Sequence, residues 1–147
     1  MILYLEINNK SKSPIEKDFI YKVVRKSLDY FGFSFLENKK IALSIALVNA
    51  AEIRSLNKKF RKVDKTTDVL SFAEYEDTKS LKKEKKQELF LGELILCYND
   101  IASYAKKKKM KIKNELAEVI SHGVLHLLGF EHGDKMFEIQ KEIADNF

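Results

Sequence analysis

Apolar and polar residues alternate from position 2 to 7 in the opening stretch MILYLEINNK, the period-two pattern of a strand with one covered face. A second strand is expected over 41–48, where the apolar positions recur in the same way. Between them, Pro14 stands where a helix through about Phe31 can begin, because a first-turn position needs no N–H. Over 50–60, Ile53, Leu56 and Phe60 fall at helical spacing and predict a helix, followed by the charged loop RKVDKTTD. Residues 68–72 resume as a third strand, 74–88 read as a charged surface loop or hairpin excursion, and 90–97 make a fourth strand. The rest is helical. Asn99 or Asp100 is the expected N-cap of a segment through the lysines, Asn114 of a helix over 115–128 stopping at Gly129, and Asp134 of a last helix to about Ala144. This order predicts an α+β domain over 1–147: a small mixed four-stranded sheet covered by about five helices.

The chain has 147 residues, 45% of them hydrophobic and 33% charged, which suits one packed core and argues against a largely disordered chain. No apolar run approaches the roughly 18 residues of a membrane span. The first ten residues lack the basic start and long apolar stretch of a secretion signal, so the cytoplasm is the expected compartment, with no membrane partner. Cys97 is the single cysteine; ending the apolar run LFLGELILC, it is expected in the core rather than as a nucleophile. Lysine and arginine outnumber acids 27 to 22, giving a net charge of +5. The excess is gathered in Lys106, Lys107, Lys108 and Lys109, in Lys111 and Lys113, and in KKEKK at 82–86. Such runs are either solvated surface or the electrostatic footprint of a nucleic acid, and composition does not choose between them.

All three histidines lie in one string, HGVLHLLGFEH, starting at His122. His122 and His126 stand four apart on an expected helix, so both imidazoles leave one face and can grip one ion. Gly129 then breaks the helix, and the turn of Phe130 and Glu131 carries His132 back toward the same point, leaving a fourth position open. A lone histidine on a helix is ordinarily packed or surface; three at this spacing read as a metal site. Three imidazoles without a nearby cysteine suit one zinc ion best, and nickel, cobalt or iron also fit nitrogen ligands. The metzincin proteases share this spacing. Where they carry a glutamate that deprotonates the metal-bound water, this chain has Gly123, which cannot accept a proton and disfavours peptide hydrolysis by that route.

The string HGVLHLLGFEH resembles the HGxLHLxGxDH signature of the YbeY family, single-strand-specific endoribonucleases of ribosomal RNA maturation; Glu131 replaces the usual aspartate. LNKKFRKVDKTTDVLSF at 56–72 is similar to the family's LNxxFRxxDxxTDVLSF segment, with Ala73 where a proline usually follows. LGELILC at 91–97 resembles a third block, with Glu93 for aspartate. These blocks span 56–132, roughly half the chain. The resemblance implies a zincin-like α+β fold, a zinc ion on His122, His126 and His132, and Arg61 as the functional arginine. It also implies maturation of the 3′ end of 16S ribosomal RNA and ribosome quality control, with single-stranded and ribosomal RNA, ribosomal proteins and assembly GTPases as partners.

Physical chemistry gives these residues roles of their own. A trihistidine metal can polarise a phosphoryl oxygen or acidify bound water, and Arg61 can grip two phosphate oxygens and stabilise transition-state charge. Asp68, at a loop-to-strand boundary, reads equally as a backbone cap or a catalytic acid, and Ser71 faces either RNA or the core. Asp64 and Thr67 can orient the loop that carries Arg61. Glu118, one turn before His122, is a candidate partner for an imidazole, as is Glu131. Met136 is expected in the core, and Lys106, Lys107, Lys108 and Lys109 are candidates for steering the RNA backbone. Phe72, Tyr75 and Phe90 could stack on bases, with the core the expected place of the two phenylalanines. Two other functions stay open at this point: a ribosome-associated module that holds RNA on a structural zinc, and a metal-dependent hydrolase of another substrate.

Overall fold

The N-terminal alternation is satisfied by a sheet with one face under helices. In the computed structural model, residues 1–30 and 34–147 are described. Four strands, β1 (Ile2–Asn9), β2 (Lys40–Leu47), β3 (Val69–Ala73) and β4 (Glu88–Leu96), lie in the order β1-β2-β4-β3. The first three neighbours run parallel and β3 is antiparallel to β4, so the sheet is mixed, as expected. In β2 the buried positions are Ile41, Leu43, Ile45 and Leu47, every second residue. β4 breaks that alternation because it carries a bulge: Ala42 pairs with Phe90 but Ser44 with Glu93. Gly92 takes the strain there with φ of +135°, and a Cβ on it would lie 2.1 Å from the Phe72 carbonyl oxygen.

Six α-helices are present among the described residues: α1 (Lys17–Asp29), α2 (Ala50–Arg61), α3 (Thr78–Lys83), α4 (Tyr98–Lys107), α5 (Ile112–Leu127) and α6 (Asp134–Ala144), with a 3-10 turn at Ser34–Leu36. Helix α3 lies within 74–88, where the sequence predicts a surface loop or hairpin. It is a six-residue helix capped by Asp77, whose side chain accepts from the Ser80 N–H, and it buries a single residue, Leu81, too little to create a period. Helix α1 begins at Lys17, three residues beyond Pro14; its expected end at Phe31 lies outside the described residues.

Three expected caps are also displaced. Helix α4 starts at Tyr98, which places Asn99 and Asp100 inside its first turn. Asn114 lies within α5 and donates to the Ala144 carbonyl, tying α5 to the end of α6. Asp134 is the first residue of α6 and follows an N-cap at Gly133. In each case the chain enters the helix where the preceding element delivers it, and the polar residue serves the helix dipole or a tertiary bond instead.

The sheet and helices share a continuous core in which Ile20, Val24, Leu43, Leu91, Leu94, Ile120 and Leu125 are wholly shielded. Each such side chain contributes about 1.5–3 kcal/mol by leaving water. Helix α5 is buried on most of its circumference and is the spine of the molecule. A smaller core of Val48, Ile53, Leu70, Ile95 and Cys97 seats α2 near β3. Cys97 and Met136 are buried, as expected, whereas Phe90 is 44% exposed, against the expectation of a core position. Phe90 pairs with Ala42 just before the bulge, on the face of the sheet turned away from the main core.

Candidate metal centre

Helix α5 ends where its sequence says it should. Gly129 has φ of +92°, and a Cβ there would collide with the Thr78 backbone N at 2.2 Å, so a left-handed glycine both stops the helix and admits α3 against it. The Thr78 hydroxyl donates to the Leu128 carbonyl at 2.6 Å and fastens this corner. The following turn returns His132 to the histidines of α5. Their three Nε2 atoms form a triangle with sides of 3.1, 3.2 and 3.1 Å.

That triangle fits a metal ion. Nitrogen ligands of a tetrahedral zinc, at about 2.0–2.1 Å from the ion, stand about 3.3 Å apart. The outer ring nitrogens are tied as well: His122 Nδ1 lies 2.8 Å from Gln140 Oε1, and His126 Nδ1 lies 3.1 Å from the Phe130 carbonyl oxygen. Both oxygens only accept, so both Nδ1 atoms donate and the Nε2 lone pairs of His122 and His126 point at one another. Facing lone pairs at this distance repel unless a cation lies between them. His126 is also held neutral: burial, then the neighbouring His122 and His132, lower its pKa to about 4, outweighing the Phe130 bond that raises it. Among the described residues, this trio is the group that could hold a metal ion.

Gln140 was not singled out in the sequence. It sits on α6, eighteen residues from His122, and a half-buried glutamine carries no signal of its own. The imidazole partners proposed from sequence are not the ones found. Glu118 does not bond a ring nitrogen; it lines a cavity beside His122, where burial raises its pKa. Glu131 is exposed in the turn and stands outside the ligand group. Gly123 is buried on the sheet side of α5, where a Cβ would come within 2.8 Å of Leu94 Cδ2. A glutamate in this place would face the sheet, not the metal.

Arg61, the last residue of α2, is exposed beside β3: its Nη2 donates to the Ser71 carbonyl at 2.6 Å and its guanidinium lies 5.0 Å from the centre of the Phe72 ring. It is close enough to His126 for its charge to depress that pKa, which puts a fixed cation at the edge of the metal centre. Ser71 therefore serves through its backbone. Phe72 packs edge-on against Phe60, not into the main core. Asp64 holds Arg54 at 2.9 Å and so folds the loop after α2 back onto it; Thr67 reaches toward its neighbours Asp68 and Val69. Asp68 is half-buried on the cavity by His122, and desolvation raises its pKa. Lys106 and Lys107 end α4, Lys108 and Lys109 follow in the turn to α5, and all four are exposed.

The family model for Endoribonuclease YbeY matches residues 6–147. Endoribonuclease YbeY of Mycoplasmopsis synoviae is 38% identical over 82% of this chain and 77% of its own length. That of Leuconostoc mesenteroides is 32% identical over 97% of this chain and 96% of its own. The solution structure of the Thermotoga maritima protein TM1509 superposes with a TM-score of 0.61 at 25% identity, covering 97% of this chain and 87% of that one. The matched span takes in β2 to α6 whole, with every residue of the metal centre, and the chain belongs to the YbeY endoribonuclease family.

Proposed function

We propose that the protein is a metal-dependent endoribonuclease that cuts single-stranded RNA, with one zinc ion held by His122, His126 and His132. The convergence of three imidazole lone pairs on one point, two of them fixed by bonds to Gln140 and Phe130, is the observation that carries this reading. A zinc ion in such a site supplies a Lewis acid for a phosphoryl oxygen or acidifies a bound water. The chain's own residues do the rest. Arg61, anchored through Ser71 and Phe72, offers N–H donors to phosphate oxygens and opposes the charge that builds on them. The lysine turn draws the backbone of the substrate in by charge.

The family makes ribosomal RNA the proposed substrate, with the 3′ end of 16S RNA as the segment matured and a part in ribosome quality control. Ribosomal proteins or assembly GTPases would present the strand, and such a substrate would place the protein in the cytoplasm. The test is cleavage of a labelled single-stranded ribosomal RNA fragment by wild type, His126→Ala and Arg61→Ala, with metal content measured on each. Wild type should carry about one zinc and cut, His126→Ala should lose both metal and cutting, and Arg61→Ala should keep the metal and lose activity by about 100-fold or more. Equal cutting by all three would mean a contaminant nuclease, and would favour a protein that holds RNA without cleaving it.

A further inference from the structure

Beside the metal centre lies a cavity of about 170 Å³ that the cleavage chemistry above does not use. Asp68 from the start of β3, Glu115, Glu118 and His122 from α5, and Phe137 and Gln140 from α6 line it. Three carboxylates facing one space suggest a cation, but their spacing argues otherwise. Among the described residues only the histidine trio brings its ligand atoms within 4.8 Å of one another, so these carboxylates do not close around a single ion. A larger group with several hydrogen-bond donors fits them better.

Two further observations identify that group. Glu115 is 6% exposed, and its Oε2 is buried with no hydrogen-bond partner, an acceptor left without a donor. Burial also raises the Glu115 pKa, as expected for a carboxylate that lacks a partner. Phe137 is 48% exposed at the mouth, its ring inclined 29° to His122 at 6.1 Å between centres. A half-exposed aromatic ring beside a wall of acceptors is how proteins hold an unpaired base: the ring stacks and the Watson–Crick edge is read. The acids repel a phosphate, so the sugar–phosphate chain is directed to the histidines and Arg61 while the base turns inward.

Among the four bases, guanine presents two adjacent donors, N1–H and N2–H, which match both oxygens of one carboxylate. Uracil has one donor, and adenine and cytosine place an acceptor next to theirs, against the second oxygen. We propose that this cavity is a base-reading subsite for an unpaired guanine flanking the scissile phosphate, stacked on Phe137 and bonded along its edge to Glu115. The carboxyl of Glu115 turns about its last bond to present both oxygens, a soft rotation. Asp68 and Glu118 supply the remaining acceptors, and Gln140 joins this wall to His122. The assignment rests on the reading of the protein as an RNA-cleaving enzyme.

The experiment is titration of the metal-loaded protein with the 5′-monophosphates of guanosine, adenosine, cytidine and uridine, followed by NMR shifts, for wild type, Glu115→Gln and Phe137→Ala. Wild type should bind the guanosine nucleotide about tenfold or more tightly than the other three, and Glu115→Gln, isosteric but with a donor in place of an acceptor, should erase that margin. Phe137→Ala, compared at equal metal content because the ring lies against His122 and His132, should weaken all four by about tenfold. Equal affinities in wild type, a guanine margin that survives Glu115→Gln, or unchanged binding in Phe137→Ala would each overturn the assignment. Cleavage of a guanine-free strand, run alongside, separates the two readings. Cutting without base preference removes the guanine subsite alone, and guanine binding by a protein that cuts nothing removes the nuclease reading alone.

Discussion

His126 is pulled two ways, and the balance shows how the metal centre is prepared. Burial and its two histidine neighbours disfavour its proton, Phe130 fixes its outer nitrogen, and the outcome is a pKa of about 4 against an ordinary value of 6.5. The sign for stability follows. Above pH 6.5 neither folded nor unfolded chain holds a proton here; as pH falls toward 4 the unfolded chain takes one that the folded chain refuses, and metal-free stability declines through that window. Urea midpoints in chelator at pH 7.5 and 5 should drop for wild type by more than for His126→Ala, and equal drops would sink the assignment. At this scale the histidine trio was legible because all three residues sit in one short string, whereas Gln140 was not, because its partner is eighteen residues away.

At the scale of elements, the end of α5 and the start of α3 make one joint. Gly129 gives way to the α3 backbone, and the Thr78 hydroxyl closes the last turn of α5 by donating to the Leu128 carbonyl. Thr78→Val keeps the shape and removes the donor, so it should cost about 1 kcal/mol in stability. It should also speed metal loss to a chelator, since His126 and the turn to His132 hang from this joint. An unchanged release rate would show that the histidines are held without it. Helix α3 was hidden in the sequence for the same reason that it matters: it buries only Leu81, and its place is set by contact with Gly129, not by a period of its own.

For the whole molecule, the net charge of +5 is unevenly placed. The lysine turn opens α5, and His122 lies ten residues beyond Ile112, about 15 Å along the helix axis at 1.5 Å per residue. A strand reaching both would cover that axis with its phosphates. Affinity for single-stranded RNA should therefore fall with salt, and replacing Lys106, Lys107, Lys108 and Lys109 together by Gln should flatten the slope of log affinity against log salt by up to about 3. A slope that stays the same would make the lysines solvated surface only. The molecule's aromatic surface was read less well: Phe90 proved exposed, and Phe137, which the sequence did not single out, stands beside the histidines.

Whatever depends on neighbours along the chain is legible without the fold. Strand alternation, the helical spacing of His122 and His126, the stop at Gly129 and the acid-free position at Gly123 are local patterns, and each reappears in the structure. The mixed four-stranded sheet followed from the order of those elements. Tertiary structure alone decided which groups meet across the fold. Gln140 on His122, Arg61 near His126, the bulge at Gly92 under Phe72, and the carboxylates of Asp68, Glu115 and Glu118 around one cavity join residues from separate elements. Such meetings are fixed by packing of the core, where shape selects one arrangement, and not by any period that a single segment can display.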